Sequence, residues 1–166
     1  MTRTVAGLFS LIVLLVGQGW TQANTNPATP PNQQDPFIGT WKMNPEKSEL
    51  DPNHRAMAAR MYWEQEADGY RMTAEGVNAR GQMVKEAPQR FAPDGREHPV
   101  PGAPGVTSIV TRPEPKTIQV ESKKDGQIVG RASYVVSRDG KSLMATVSGT
   151  DGKQRAFRTR MMFDRE

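Results

Sequence analysis

From Asp35 onward, apolar and polar residues alternate in short runs that continue to the end of the chain. A period of two residues is typical of a β-strand with one buried face. The clearest runs read "KTIQVESK", "QIVGRASYVVS", "KSLMATVS" and "RAFRTRMMF". Together the runs predict about nine strands, near residues 38–43, 60–67, 70–78, 82–91, 106–112, 116–123, 127–137, 141–149 and 154–164.

Asp-Gly pairs separate many of these runs. Both residues tolerate the positive backbone dihedrals of tight hairpin turns, so strands that follow one another in the chain should pair. Turns are expected at Asp68-Gly69, Arg80-Gly81, Asp94-Gly95, Asp125-Gly126, Asp139-Gly140 and Asp151-Gly152. The candidate helix is "NHRAMAARM", residues 53–61, and a loop leading into a strand is the alternative there.

A meander of this kind has two exposed edges unless its last strand pairs with its first. The sequence therefore predicts an all-β fold, an antiparallel up-and-down meander of about 8–10 strands closing into a β-barrel. A two-sheet sandwich is the competing architecture. A barrel of this size has an interior wide enough for side chains and one small ligand.

The first residues carry the features of an export signal. Arg3 precedes the apolar run 5–16, and Thr21-Gln22-Ala23 ends with small side chains where a signal peptidase cleaves. A retained transmembrane helix is the competing interpretation, but this run spans only about 18 Å of a layer about 30 Å thick. We therefore expect a signal peptide over residues 1–23, a flexible Pro/Asn/Gln linker over 24–36 and the barrel domain over 37–166.

The stretch "DPFIGTWKM" contains Gly39-x-Trp41 and resembles the start of lipocalins. It is still more similar to the first strand of intracellular fatty-acid-binding proteins, whose last strand the ending "FRTRMMFDRE" resembles. Together with "DGREHPVPG", "KKDGQIVG" and "VSRDGKSLMATVSGTDG", these stretches resemble a family of uncharacterised secreted bacterial proteins with a lipocalin-like domain. The resemblance implies a calycin-like barrel.

The lipocalin resemblance implies that Gly39 and Trp41 close the barrel at one end. In lipocalins an Arg of the last strand stacks on this Trp, and Arg158 and Arg160 are the candidates here. Fatty-acid-binding proteins hold a ligand carboxylate with an Arg and a Tyr two residues apart. In this chain Met162 follows Arg160 at that spacing, so the carboxylate clamp is not reproduced.

The alternation also predicts which side chains face inward. They are Phe37, Gly39, Trp41, Met43, Tyr70, Met72, Ala74, Ile118, Val120, Ile128, Ala132, Tyr134, Val136, Leu143, Ala145, Val147, Phe157, Met161 and Phe163. Because large residues mix with Ala and Gly, the interior is either densely packed or leaves a cavity. For the cavity interpretation, the expected ligand-lining residues are Met72, Tyr134, Phe157, Met161 and Phe163.

Charge and composition exclude several classes of function. The 22 Lys and Arg residues are interleaved with 18 Asp and Glu, whereas nucleic-acid binding needs positive charge gathered on one face. With no Cys, the chain has no disulfide, thiolate metal site or lipoprotein anchor. His54 and His98 lack metal-ligand spacing, and no nucleophile elbow or phosphate-binding loop occurs. The Pro-rich segment 92–105 is expected to be a long loop, either a lid or a connector.

These observations predict a secreted or periplasmic, non-catalytic binding protein for a small, mostly apolar ligand. We expect a monomer that needs no cofactor, binds no nucleic acid and keeps no membrane anchor after signal cleavage. The alternative is a structural or interaction module of the cell envelope without a small-molecule ligand. An isomerase or hydrolase using residues at the barrel mouth, such as His54 or His98, is a third hypothesis.

Overall fold

The computed structural model describes residues 34–52, 58–77, 82–150 and 154–166. Within these ranges the chain forms eleven strands: β1 (Gly39–Glu49), β2 (Ala58–Glu66), β3 (Gly69–Val77), β4 (Met83–Lys85), β5 (Gln89–Phe91), β6 (Glu97–Pro99), β7 (Val106–Glu114), β8 (Thr117–Lys124), β9 (Gln127–Val136), β10 (Ser142–Thr150) and β11 (Ala156–Arg165). None of the described residues forms a helix long and apolar enough to cross a membrane. The signal peptide, residues 24–33 of the linker, His54 and two expected turns, Arg80-Gly81 and Asp151-Gly152, lie outside the described residues.

All eleven strands belong to one antiparallel sheet, which confirms the all-β meander. Their order is β4-β3-β2-β1-β11-β10-β9-β8-β7-β6, and β5 pairs with β3 beside β4. β1 and β11 are hydrogen-bonded neighbours, with Trp41 opposite Arg165 and Met43 opposite Phe163. The predicted pairing of the first and last strands is therefore confirmed.

The ring of paired strands is not complete, however. Its path ends at β4 and β5 on one side and at β6 on the other, and among the described residues no strand pairing joins these ends. The break lies in a proline-rich part of the chain that includes Pro88, Pro93 and Pro99. Proline has no N–H to donate to a ladder, so strands there stay short.

Two local predictions were wrong, and for a third, residues 53–61, the structure favours the alternative of a segment that leads into a strand. The expected strand 82–91 is divided into β4 and β5 by residues 86–88, where Pro88 interrupts the ladder. The expected loop 92–105 contains β6. Residues 58–61 of the candidate helix belong to β2, whose Met61 and Trp63 are buried on one face, while residues 53–57 lie outside the described chain.

The sheet curls so that one face encloses the core. Trp63 of β2 and Tyr134 of β9 lie four positions apart in the strand order, yet their ring centroids are 5.2 Å apart. Phe91 of β5 lies 5.8 Å from the same tyrosine ring. The buried apolar residues are Phe37, Trp41, Met61, Trp63, Tyr70, Met72, Ala74, Phe91, Val110, Ile118, Tyr134, Val136, Leu143, Ala145, Met161 and Phe163.

Most of the residues expected to face inward are buried or partly buried, and Ile128 is the exception. Its side chain is exposed because a register shift between β8 and β9 places Gly130 opposite Ser122 but Ile128 opposite Lys123. The extra residue, Val129, reverses the alternation at that point. A bulge of this kind changes the face of every residue beyond it without changing the sequence pattern.

Arg165, and not Arg158 or Arg160, stacks on Trp41. The Arg165 guanidinium carbon lies 4.0 Å from the centroid of the indole ring. The buried residues Thr159, Met161 and Phe163 share the inward face of β11 with Arg165, so the even-numbered arginines point outward. Arg160 accordingly forms an ion pair with Glu49 on the exposed surface.

Gly39 leaves room for this arginine. Its φ of +134° is in the range that side chains rarely adopt, and a Cβ at this position would lie 2.9 Å from the Arg165 Nη1 atom. Arg165 also donates hydrogen bonds to the carbonyl oxygens of Ile38 (2.8 Å), Gly140 (2.7 Å) and Pro36. Trp41 donates from Nε1 to the Phe37 oxygen at 2.9 Å. The Arg165 side chain therefore connects the residues before β1, the end of β11 and the β9–β10 turn.

Candidate functional site

A cavity of about 1340 Å³ lies between the two ends of the strand path. Its walls come from the β2–β3 turn and β5 on one side, and from β6, β7 and β8 on the other. The segment between β5 and β6 contributes Asp94 to the lining. The cavity therefore occupies the place where the ladder is interrupted.

Strand register sets the chemistry of the wall formed by β6, β7 and β8. His98, Ser108 and Ser122 lie side by side in one row across the three strands. Val110 and Val120 form the next row on the same face. All five residues line the cavity, so this wall changes from polar to apolar within one step of the pleat.

Aromatic rings form the opposite side of the cavity. Phe91 of β5 lies opposite Tyr70 of β3, and both line the cavity. Behind them, Trp63 stacks on Phe91 at 5.2 Å between centroids, and Tyr134 meets Phe91 edge-on. We call these four residues the aromatic floor. Ring pairs in such arrangements contribute about 0.5–1.5 kcal/mol each beyond the burial of their surface.

Two polar atoms of the aromatic floor have unusual surroundings. The indole N–H of Trp63 is buried and has no hydrogen-bond partner among the described residues. An unpaired buried donor costs about 1–3 kcal/mol. Burial, together with the negative charge of Glu86, raises the pKa of the Tyr134 hydroxyl to about 12.

Carboxylates surround the cavity. Glu66, Asp68, Glu86 and Asp94 line it, against the single guanidinium of Arg90. Arg90 lies 3.3 Å from Glu66, and His98 Nε2 lies 3.0 Å from Asp94. The hydrogen bond from the Arg96 backbone N–H is the largest cause that lowers the pKa of Asp94, and the hydrogen bond with His98 lowers it further.

A partly buried polar cluster joins the two ends of the strand path beside the cavity. Asp35 accepts hydrogen bonds from the Tyr70 hydroxyl at 2.7 Å and from Arg112 Nη1 at 2.6 Å. Arg112 of β7 also donates to the Tyr70 oxygen, and its guanidinium lies 5.7 Å from the ring of Phe37. Burial is the first cause that raises the pKa of Tyr70, followed by its hydrogen bond to Asp35. Side chains thus connect β3 and β7 where the backbone ladder is missing.

The residues expected to line a ligand site lie mostly behind the cavity wall. Met72, Tyr134, Met161 and Phe163 are buried in the core. Phe157 is partly exposed and lies opposite Gly149, where a Cβ would be 3.4 Å from its ring. None of the five is among the residues that form the cavity surface. Tyr134 contacts Phe91, which does belong to that surface. Their contact with a ligand stays a prediction.

The cavity residues come from segments far apart in the chain. The alternation predicts that Tyr70 and Val120 face inward. No sequence pattern singles out Phe91, Ser108 or Ser122 as site residues. His98 had been placed in a loop and lies on β6. The segment 92–105 borders the cavity through Ala92, Asp94 and residues 98–101.

A second concavity, of about 410 Å³, lies on the outer face of β7 to β10. Its lining alternates with the buried residues of the same strands and includes Ile109, Thr111, Gln119, Glu121 and Arg131. Glu121 and Arg131 face each other across β8 and β9 and form an ion pair at 3.2 Å. This surface is more open than the first cavity, and most of its exposed lining is apolar.

No protein-family model matches the chain, and no curated protein matches its sequence. Among solved structures, the chain is similar to the zebrafish ileal bile acid-binding protein in complex with cholic acid, with 12% sequence identity and a TM-score of 0.42. The alignment covers 79% of this chain and 99% of that one. The binding of cholic acid is a property of the zebrafish protein.

Proposed function

We propose that this protein binds a small, mostly apolar molecule in the cavity between β5 and β6. The supporting observation is a space of about 1340 Å³ beside the aromatic floor. Binding pockets for small molecules typically measure about 300–1000 Å³ and combine apolar walls with a few polar groups. A drug-sized ligand would therefore fit together with some water.

The proposal includes a non-catalytic role. A hydrolase built on this wall would need a base that activates a hydroxyl nucleophile. His98 is hydrogen-bonded to Asp94, and within the described residues no hydrogen bond joins it to Ser108 or Ser122. Among these residues no group of three or more His, Asp and Glu side chains is placed to hold a metal ion.

The proposed place of action is the periplasm or the extracellular space. The support for this is the sequence of residues 1–23, with its apolar run and small residues before the expected cleavage position. Export would place the cavity outside the cytoplasm, where small molecules that enter or leave the cell pass. Protein from its own host, analysed by mass spectrometry, should begin after residue 23.

The experiment that tests binding uses a neutral fluorescent probe, N-phenyl-1-naphthylamine, which brightens in apolar surroundings. We expect saturable binding that Ser122→Trp weakens by at least tenfold, because Ser122 lines the cavity and the indole would fill it. The matched control is Ser133→Trp, on the outer face of the adjacent strand. Equal binding by both variants, or no saturable binding by the native protein, would refute the proposal.

Native mass spectrometry of protein purified from its own host adds an independent readout. A bound molecule should be detected in the native protein and lost in Ser122→Trp. A mass that matches the bare polypeptide in both proteins, together with no probe binding, would favour a fully packed or empty interior.

A second candidate function is an interaction module of the cell envelope. The outer concavity of about 410 Å³ supports it, because it lies on the face of β7 to β10 that the core leaves free. In this case co-sedimentation with envelope fragments should be lost in Ile109→Arg and kept in Ser122→Trp. The opposite pattern would favour the cavity.

A further inference from the structure

We infer that the ligand is a cationic amphiphile, in which a protonated amine or quaternary ammonium group is attached to an apolar body. This inference rests on the proposed function, since it names the chemical class that the same cavity selects. It follows from the charges of the lining, from their pairing and from the aromatic floor.

The first step is the balance of charge around the cavity. The carboxylates of Glu66 and Asp94 are occupied by Arg90 at 3.3 Å and by His98 at 3.0 Å. Asp68 and Glu86 form no ion pair with any described residue, and both line the cavity. Both side chains are exposed to solvent, so their negative charges act on a ligand in the cavity through partly screened attraction.

The second step is the position of Glu86. Its backbone N–H donates to the Ala74 oxygen at 2.8 Å, which holds the residue against β3 between β4 and β5. Its charge also contributes to the raised pKa of Tyr134 in the aromatic floor. Glu86 therefore has a fixed backbone position at the cavity, and its carboxylate belongs to the lining.

The third step is the aromatic floor itself. Phe91 and Tyr70 line the cavity, and Trp63 and Tyr134 extend the cluster behind them. Aromatic rings attract ammonium groups through their negative faces, by about 0.5–2 kcal/mol for each contact. A floor of this kind next to unpaired carboxylates favours a positive head group on an apolar molecule.

The fourth step excludes ligands with an anionic head group. An anionic head group would need a free cation, but Arg90 in the lining is paired with Glu66 at 3.3 Å. The next candidate is Arg112, which contacts Tyr70 from outside the lining. Its guanidinium already donates to Asp35, Tyr70 and the Pro115 oxygen. A carboxylate ligand would have to displace Asp35, whereas an ammonium group meets carboxylates that are available.

The test compares three ligands that share one ten-carbon chain and displace N-phenyl-1-naphthylamine. They are decyltrimethylammonium, 1-decanol and decanoate, used below their aggregation concentrations. We expect the cation to displace the probe at the lowest concentration and the anion at the highest. Displacement by decanoate at the same or a lower concentration than the cation would overturn the inference.

Charge variants locate the effect. In Asp68→Asn and Glu86→Gln, affinity for the cation should fall about threefold for each change, as for partly exposed ion pairs, while 1-decanol is unaffected. The matched control combines Glu46→Gln with Glu114→Gln, two exposed carboxylates outside the cavity lining. An equal loss in control and cavity variants would contradict the assignment.

Salt provides a readout on the native protein that needs no variant. Raising the ionic strength from about 0.01 to about 0.15 M shortens the screening length from about 30 to about 8 Å. Affinity for decyltrimethylammonium should fall severalfold, that for 1-decanol should not, and an unchanged cation affinity would count against the inference. If 1-decanol and the neutral probe do not bind at all, the proposed function itself fails, which is a different result.

Discussion

The guanidinium carbon of Arg165 lies 4.0 Å from the centroid of the Trp41 ring, across the pair of strands that joins the two ends of the domain. The ring is completely buried, so the arginine covers its outer side. Three backbone carbonyl oxygens accept hydrogen bonds from the same guanidinium. One side chain therefore connects residues 36–38, β1 and the β9–β10 turn.

Arg165→Met should lower the free energy of unfolding by about 2 kcal/mol, since it removes the contact with Trp41 and leaves carbonyl groups without their donor. The measurement is denaturant unfolding followed by tryptophan fluorescence. Arg158→Met on the outward face of β11 is the control, with an expected change within about 0.5 kcal/mol. Equal losses in the two variants would contradict the role of Arg165.

Gly39→Ala should destabilise the fold by about 1–3 kcal/mol, because the new Cβ would lie 2.9 Å from Arg165 Nη1 at a strained φ of +134°. Gly102→Ala is the control, since its φ is +76° but nothing lies within 4 Å of the added atom. The double variant Gly39→Ala/Arg165→Ala should lose less than the sum of the single changes. Strict additivity would show that the two residues do not compete for the same space.

Arg112→Met should weaken the connection between the two ends of the strand path. It removes both donors that face Asp35 and Tyr70, in a cluster where the side chains are only about a quarter exposed. We expect a loss of about 1–2 kcal/mol after allowance for solvent screening, with faster amide hydrogen exchange in β5 and β6. Arg131→Met, which breaks the exposed pair with Glu121, is the control.

All three tyrosines of the chain should resist ionisation at alkaline pH. The Glu75 carboxylate, which accepts the Tyr62 hydrogen bond, raises the pKa of Tyr62, and burial raises the pKa of Tyr70 and that of Tyr134, the latter to about 12. A pKa raised in the folded state adds stability that is complete below the usual value of 10.0 and is lost as pH rises toward 12. Phenolate absorbance near 295 nm should therefore appear together with unfolding.

Glu86→Gln provides the matched comparison for this titration. It removes one cause of the raised pKa of Tyr134, so the phenolate step of Tyr134 should move to lower pH. Glu46→Gln, outside the cavity lining, should leave the step in place. Full ionisation of the folded protein at pH 10 would contradict the prediction for all three residues.

The strands and the pairing of β1 with β11 could be predicted because their period-two patterns are long. The same alternation places Arg165 beside Phe163 and Met161 on the inward face of β11. The sequence alone could therefore have identified Arg165 as the arginine that stacks on Trp41. Ile128 was misplaced because a bulge leaves no mark on the hydrophobic pattern.

The site was harder to predict than the fold. Strands of three residues, such as β5 after Pro88 and β6 ending at Pro99, are too short to show a period. The cavity gathers Tyr70, Phe91 and Ser122 from separate parts of the chain, and only the curl of the sheet brings them together. Pairing among charged residues decides which carboxylates remain available, and that information exists only in three dimensions.

The position of the break has a kinetic consequence. Because β5 and β6 share no ladder hydrogen bonds with each other, a ligand of the proposed cavity could pass between them without breaking any hydrogen bond between paired strands. Under the proposed function, binding and release should therefore not depend on how firmly β1 and β11 are joined. A variant that is more stable at the Trp41 end should release the fluorescent probe at the same rate as the native protein.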